Sequence, residues 1–164
     1  MKVRSLSAIV LAALVGVVLP REAPAADTAS IYDTLALMKD HSVLSVAVTE
    51  ARETAALRGP GPFTLLAPTD AAFKKLDDAT IKKIATDKET VKQLLHAHLV
   101  KGTWTAAELK KLAGKELSTL QWSTLKVEDA KDGLRVGGAK VVVTDVRCSN
   151  GVIHVIDAVL PVAK

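Results

Sequence analysis

Residues 59–73 read Gly-Pro-Gly-Pro-Phe-Thr-Leu-Leu-Ala-Pro-Thr-Asp-Ala-Ala-Phe, and the architecture turns on this stretch. Two prolines and two glycines in four positions cannot continue a helix. They deliver the chain into a short apolar strand, Phe63 to Ala67, which Pro68 ends. Thr69 then has the side chain to cap a short helix running through Phe73 and Leu76. Gly61 is expected to need a backbone with φ > 0, so a β-branched residue there should be disfavoured.

Upstream the pattern is helical. Ser30 can cap a helix with Ile31, Leu35 and Met38 on one face, and Ser42 a second with Leu44, Ala47 and Ala51 aligned. Downstream, Ile81, Ile84 and Ala85 form one stripe. Asp87 is suited to cap the next helix, in which Val91, Leu94, Leu95 and His98 share a face. The period then changes to two. Strands are expected at Thr124–Glu128, Leu134–Val136, Ala139–Val143 and Val152–Ile156, with turns at Asp132-Gly133 and Gly137-Gly138. A helical half followed by a β-rich half makes the fold α+β. No internal repeat or low-complexity linker interrupts it.

The N-terminus has the layout of an export signal. Lys2 and Arg4 precede an apolar run from Leu6 to Leu19, and Ala23-Pro24-Ala25 supplies a small-x-small cleavage pattern. The run is shorter than the ~20 apolar residues of a membrane span. Residues 1–26 are therefore expected to be a signal peptide cut after Ala25 or Ala26, and 30–161 a single domain in a secreted or periplasmic protein. No membrane insertion is expected after cleavage. Removing the signal leaves 19 basic against 17 acidic residues. So even a balance gives no electrostatic footprint for nucleic acid or an anionic membrane, and five aromatic residues are too few for a base-stacking platform. Cys148 stands alone, so no internal disulfide can form; burial of its thiol and a monomeric protein are expected.

Catalytic signals are missing. There is no Gly-x-Ser-x-Gly elbow, and no Gly-Lys-Ser/Thr follows the Gly-Pro run. His96 and His98 would share a face only on a strand; on a helix they point about 200° apart. His98 then joins the apolar stripe as a buried, hydrogen-bonded ring, and His96 faces outward. His154, between Val152 and Ile156, reads as a core residue, while His41 carries no signal of its own. No enzyme, cofactor or metal is expected.

Three stretches in order carry a resemblance: Gly59–Phe73, then Leu94-Leu-His-Ala-His-Leu-Val100, then Ser149-Asn-Gly-Val-Ile-His-Val-Ile-Asp-Ala-Val-Leu-Pro161. Together they resemble the fasciclin domain. The resemblance implies a twisted β-wedge packed against a cluster of helices. It also implies a non-catalytic extracellular or cell-surface role in adhesion, binding a protein or polysaccharide of a matrix, wall or cell surface. Thr69, Asp70, His98, Asn150, Gly151 and His154 are the motif positions expected to be structural. Thr69 and Asp70 are the expected hydrogen-bond partners of His98, and Asn150-Gly151 the turn into the last strand. The Tyr position of the family's central motif is Ala97 here, which puts the integrin contact of animal relatives in doubt. The adhesive Asn-Lys-Asp-Ile type motif aligns with Val143–Val146, making Asp145 and Val146 the candidate binding residues, against a plain strand-edge aspartate. The competing functions are a small-molecule carrier with a cleft between wedge and helices, and, more remotely, a hydrolase or metalloenzyme using His98 or His154.

Overall fold

The computed structural model describes residues 29–161; the signal segment expected at residues 1–26 and its expected cleavage point lie outside them. Helices come first: α1 (Ile31–Leu37), a 3-10 turn (Lys39–His41), α2 (Ser42–Glu50) and α3 (Thr54–Arg58). Strand β1 (Phe63–Pro68) follows the Gly-Pro run, and Thr69 caps α4 (Asp70–Phe73) by accepting the Ala72 amide, as its sequence suggests. Next come α5 (Asp78–Thr86), α6 (Lys88–His98), β2 (Leu99–Lys101) and α7 (Ala106–Lys111). The chain finishes with β3 (Glu116–Ser118), β4 (Thr124–Ala130), β5 (Gly133–Val136), β6 (Ala139–Cys148) and β7 (Gly151–Ile156).

The strands form one sheet in the order β2-β1-β7-β6-β5-β4-β3. Its two outer strands meet, since Val100 bridges Thr119 and the Leu120 amide donates to the Leu99 carbonyl at 2.9 Å. The sheet is thus a nearly closed wedge. Among the described strands only β1 and β7 pair in parallel, from Phe63 opposite Gly151 to Pro68 opposite Ile156. These central strands are buried on both faces, which explains their near-continuous apolar sequences. Leu65, Ala67 and Ile153 pack into the helical layer with Ile31, Leu35, Leu57 and Leu95. Leu66 and Ile156 turn the other way, into the wedge, against Leu125, Val127, Val136 and Leu160. The α+β expectation and the wedge-on-helices arrangement both hold.

Some local expectations do not. Gly137 and Gly138 do form the hairpin, both at positive φ. But β6 runs on to Cys148 instead of ending at Val143. Register shifts between Val141, Val143 and Val146 break the two-residue alternation that sequence reading relies on. Ser42 is the first residue of α2, not its cap. Gly61 is not among the positive-φ residues. Its requirement is closeness: a Cβ there would lie 2.0 Å from the Asn150 carbonyl oxygen. Cys148 is half-buried, its Sγ 3.4 Å from Thr34 Oγ1.

Candidate functional site

Helix α2 is apolar on more than one face. Leu44, Ala47 and Val48 enter the core, while Val43 and Val46 stay on the surface, Val46 at 61% exposure. Across from them stands α5. Ile84 is buried, but Ile81 remains 39% exposed, so the expected Ile81–Ile84–Ala85 stripe is only partly covered. Between the two helices, with Phe73 of α4 among its lining residues, runs a groove of about 510 Å³. Glu50 and Lys74 also line it, and neither carboxylate nor ammonium forms an ion pair among the described residues. The groove lies among helices, not between wedge and helices where a ligand cleft was expected.

At the groove's end sits Asp70. Its Oδ2 accepts the Ser42 hydroxyl at 2.6 Å and the Ser42 amide at 3.3 Å, and its Oδ1 accepts the Val43 amide at 2.9 Å. A carboxylate on α4 therefore caps α2, the place where sequence reading put Ser42. Burial, the largest single influence, opposes its charge, but the bonds from Ser42 and Val43 together prevail and hold the carboxyl below its ordinary value.

The histidines divide by what they touch. His98 is fully buried; its Nδ1–H donates to the Leu94 carbonyl at 2.7 Å and its Nε2 accepts the Leu160 amide at 3.0 Å. Thr69 and Asp70 are not its partners, because both are spent on helix N-termini. Burial lowers the pKa of the ring to about 4. His154 is likewise buried, with Nε2–H donating to the Trp104 carbonyl at 2.6 Å and Nδ1 accepting the Asp145 amide at 3.3 Å. Burial also lowers its pKa. His96 faces the other way, 3.8 Å from Glu53. The His96 and His98 rings diverge as a helix requires, which removes the spacing argument for a metal pair.

Asp145 and Val146 lie at the β6 bulge, away from the groove. Asp145 has φ 59 and accepts the Ala106 amide, the first of α7, at 2.8 Å through Oδ1. Val146 is half-buried against the helical core. Asn150 does more than turn the chain. Its Oδ1 accepts the Ile31 amide at 2.9 Å, and its Nδ2 donates to the Leu57 and Gly59 carbonyls at 2.8 and 2.9 Å. Its backbone carbonyl also accepts the Phe63 amide at 3.1 Å. Beside it, a Cβ on Gly151 would lie 1.9 Å from the Phe63 carbonyl oxygen.

Sequence reading missed the groove and its rim, although a helix with apolar residues at Val43, Val46 and Ala47 as well as Leu44 and Val48 carried the signal. It also missed α7, for which Thr105 and Glu108 are a capping box in plain view.

The family model described as the fasciclin domain matches residues 39–162. An uncharacterized Synechocystis protein, sll1735, is 38% identical over 119 residues, covering 73% of this chain and 87% of that protein. Transforming growth factor-beta-induced protein ig-h3 from Sus scrofa is 34% identical over 134 residues, 81% of this chain but only 19% of that much longer protein. Among solved structures, the FAS1 domain pair of the insect cell adhesion molecule Fasciclin I superposes with a TM-score of 0.57 at 22% identity, over 73% of this chain and 44% of that one. That last likeness speaks to the fold.

Proposed function

The chain belongs to the fasciclin family, and on that premise we propose that it is a non-catalytic binding and adhesion module working outside the cytoplasm, whose α2–α5 groove takes an amphipathic helix of a protein partner. The groove carries this reading. Val43, Val46 and Ile81 form an uncovered apolar trough, and a helix with apolar residues at i, i+3, i+4 and i+7 is the element that fills such a trough. Glu50 and Lys74 at its edge have no ion pair among the described residues, so a partner helix with a basic and an acidic residue at its flanks complements them. A polysaccharide is the poorer fit, because its hydroxyls need polar partners and the lining is largely aliphatic. No described helix is long and apolar enough to cross a membrane. The export signal expected at residues 1–26 is consistent with a surface role, and Asp145 with Val146 would be a second contact at the β6 bulge.

A photo-crosslinking amino acid at position 46 of the exported protein, with position 131 as control, tests this on the surface fraction of the producing cells. The expected product is one protein crosslinked through an apolar helical peptide at position 46 and not at 131, lost in the Val46→Asp, Ile81→Asp double variant. Crosslinks to glycan or lipid, or binding indifferent to the double variant, would overturn the assignment. Saturation of the groove by a small apolar compound in place of protein would favour the carrier.

A further inference from the structure

Three described histidines are buried, and one differs from the other two. His98 and His154 each use both ring nitrogens, one donating and one accepting, so protonation of either must break a bond from a backbone amide. His41 is 3% exposed, yet neither of its ring nitrogens makes a hydrogen bond within ordinary geometry. The Ala67 carbonyl at the end of β1 lies close enough to favour a proton on the ring. A buried polar group without partners is rare and calls for an explanation.

The surroundings supply one. His41 closes the 3-10 turn and immediately precedes α2, whose first amides are held by Asp70. The charged groups acting on the ring are Asp70 from α4 and Asp40 from its own turn. Helix α1, the other neighbour of the turn, has its carboxylate Asp33 engaged by Ser30 and Arg58. We propose that His41 and Asp70 form an acid-responsive latch at the head of α2. With the ring neutral, the Asp70 carboxylate holds Ser42 and Val43; with the ring protonated, the carboxylate turns to the imidazolium and lets the helix N-terminus go.

Three features favour this course. A new cation at the N-terminus of α2 is repelled by the helix dipole. A buried cation needs an anion, and the Asp70 carboxylate already holds the amide of the next residue, Ser42. Moreover, protonating His41 breaks no existing hydrogen bond, unlike protonating His98 or His154. Burial lowers the His41 pKa below 6.5, while Ala67, Asp70 and Asp40 counteract it, so the latch works on the acid side of neutrality. Because Ser42, Val43 and Asp70 all line the groove, acidification reshapes one end of it.

The experiment is an NMR titration of the isotopically labelled exported protein from about pH 7.5 to about 4.5, the range in which histidine acts as a switch. The His41 ring and the Ser42 and Val43 amides are followed together. Shared movement with one midpoint below 6.5, absent from those amides in His41→Gln, is the expected result. In Asp70→Asn, which keeps one acceptor but loses the charge, the His41 midpoint should move further down. Static Ser42 and Val43 amides while His41 titrates would overturn the proposal. So would amide shifts that persist unchanged in His41→Gln, or a His41 midpoint insensitive to Asp70→Asn.

Discussion

Replacing His98 tests the buried-ring argument through two separable effects. Its Nε2 is the acceptor for the Leu160 amide, so His98→Leu keeps an apolar filling but leaves that buried N–H unpaired, at a cost of about 1–3 kcal/mol. The Leu94 carbonyl loses less, because in the last turn of α6 it still faces the main-chain amide four residues on. His98→Ala adds a cavity, for a total of about 3–5 kcal/mol. The second effect depends on pH. The pKa of the folded ring is lowered from 6.5 to about 4, so the unfolded chain takes up a proton first as the solution is acidified. Stability present above 6.5 is therefore lost between 6.5 and about 4, and at 1.36 kcal/mol per unit the loss is roughly 3 kcal/mol. Neither variant has this ring, so neither suffers this part of the acid loss. Urea unfolding of wild type and both variants at neutral pH and near pH 4.5 reads it directly. The gap between wild type and His98→Leu should be widest at neutral pH and should close or reverse on acidification. A gap of the same size at both pH values would refute the buried neutral ring.

Three further substitutions probe other joints. Asn150→Ala should lower stability by about 3 kcal/mol or more, since it strands the Ile31 amide and two carbonyls; Asn150→Asp should be no milder, because it sets a carboxylate against the Leu57 and Gly59 carbonyls, and thermal melts compare the two. Gly61→Ala should destabilise by about 1–3 kcal/mol through contact with the Asn150 carbonyl, despite its permissive φ, and an unchanged melting temperature would contradict the close approach. Asp145→Ala should cost about 0.5–1.5 kcal/mol by removing the acceptor of the Ala106 amide while the Thr105–Glu108 capping box stays, with faster amide exchange confined to residues 106–111; exchange unchanged there would mean that the Asp145–Ala106 bond does not hold the helix.

What could be read in the sequence was what neighbouring residues decide among themselves. Asp87 and the stripe from Val91 to His98 are one such case: a cap and a periodic face within a single helix. Gly137-Gly138 is another, a turn whose two residues contain the whole requirement. What escaped depends on distant partners. Ser42 looks like a cap until Asp70, 28 residues on, takes the position. Gly61 looks like a conformational glycine until the Asn150 carbonyl occupies the space of its side chain. His98 was placed on the right face, but its acceptor role toward Leu160 could not be inferred from a local pattern. The strands β2 and β3, at three residues each, are too short to show a period, and the bulges of β6 erase one. The groove was overlooked for a related reason. Val43 and Val46 read as core until the fold shows that nothing is laid over them.

Asn150 bonds to Ile31 across 119 residues of sequence, and β1 completes its parallel pairing only with β7. A chain that emerges N-terminus first from a ribosome therefore brings out all of the described helices before the residues that lock them are available. Until residue 150 appears, the Ile31 amide and the Leu57 and Gly59 carbonyls lack their side-chain partner, and β1 has one neighbour instead of two. Contacts this far apart in sequence are slow to form because the long loop must close first. The domain is thereby kept from settling early: its helical layer waits for its last two strands until nearly all of the chain has emerged.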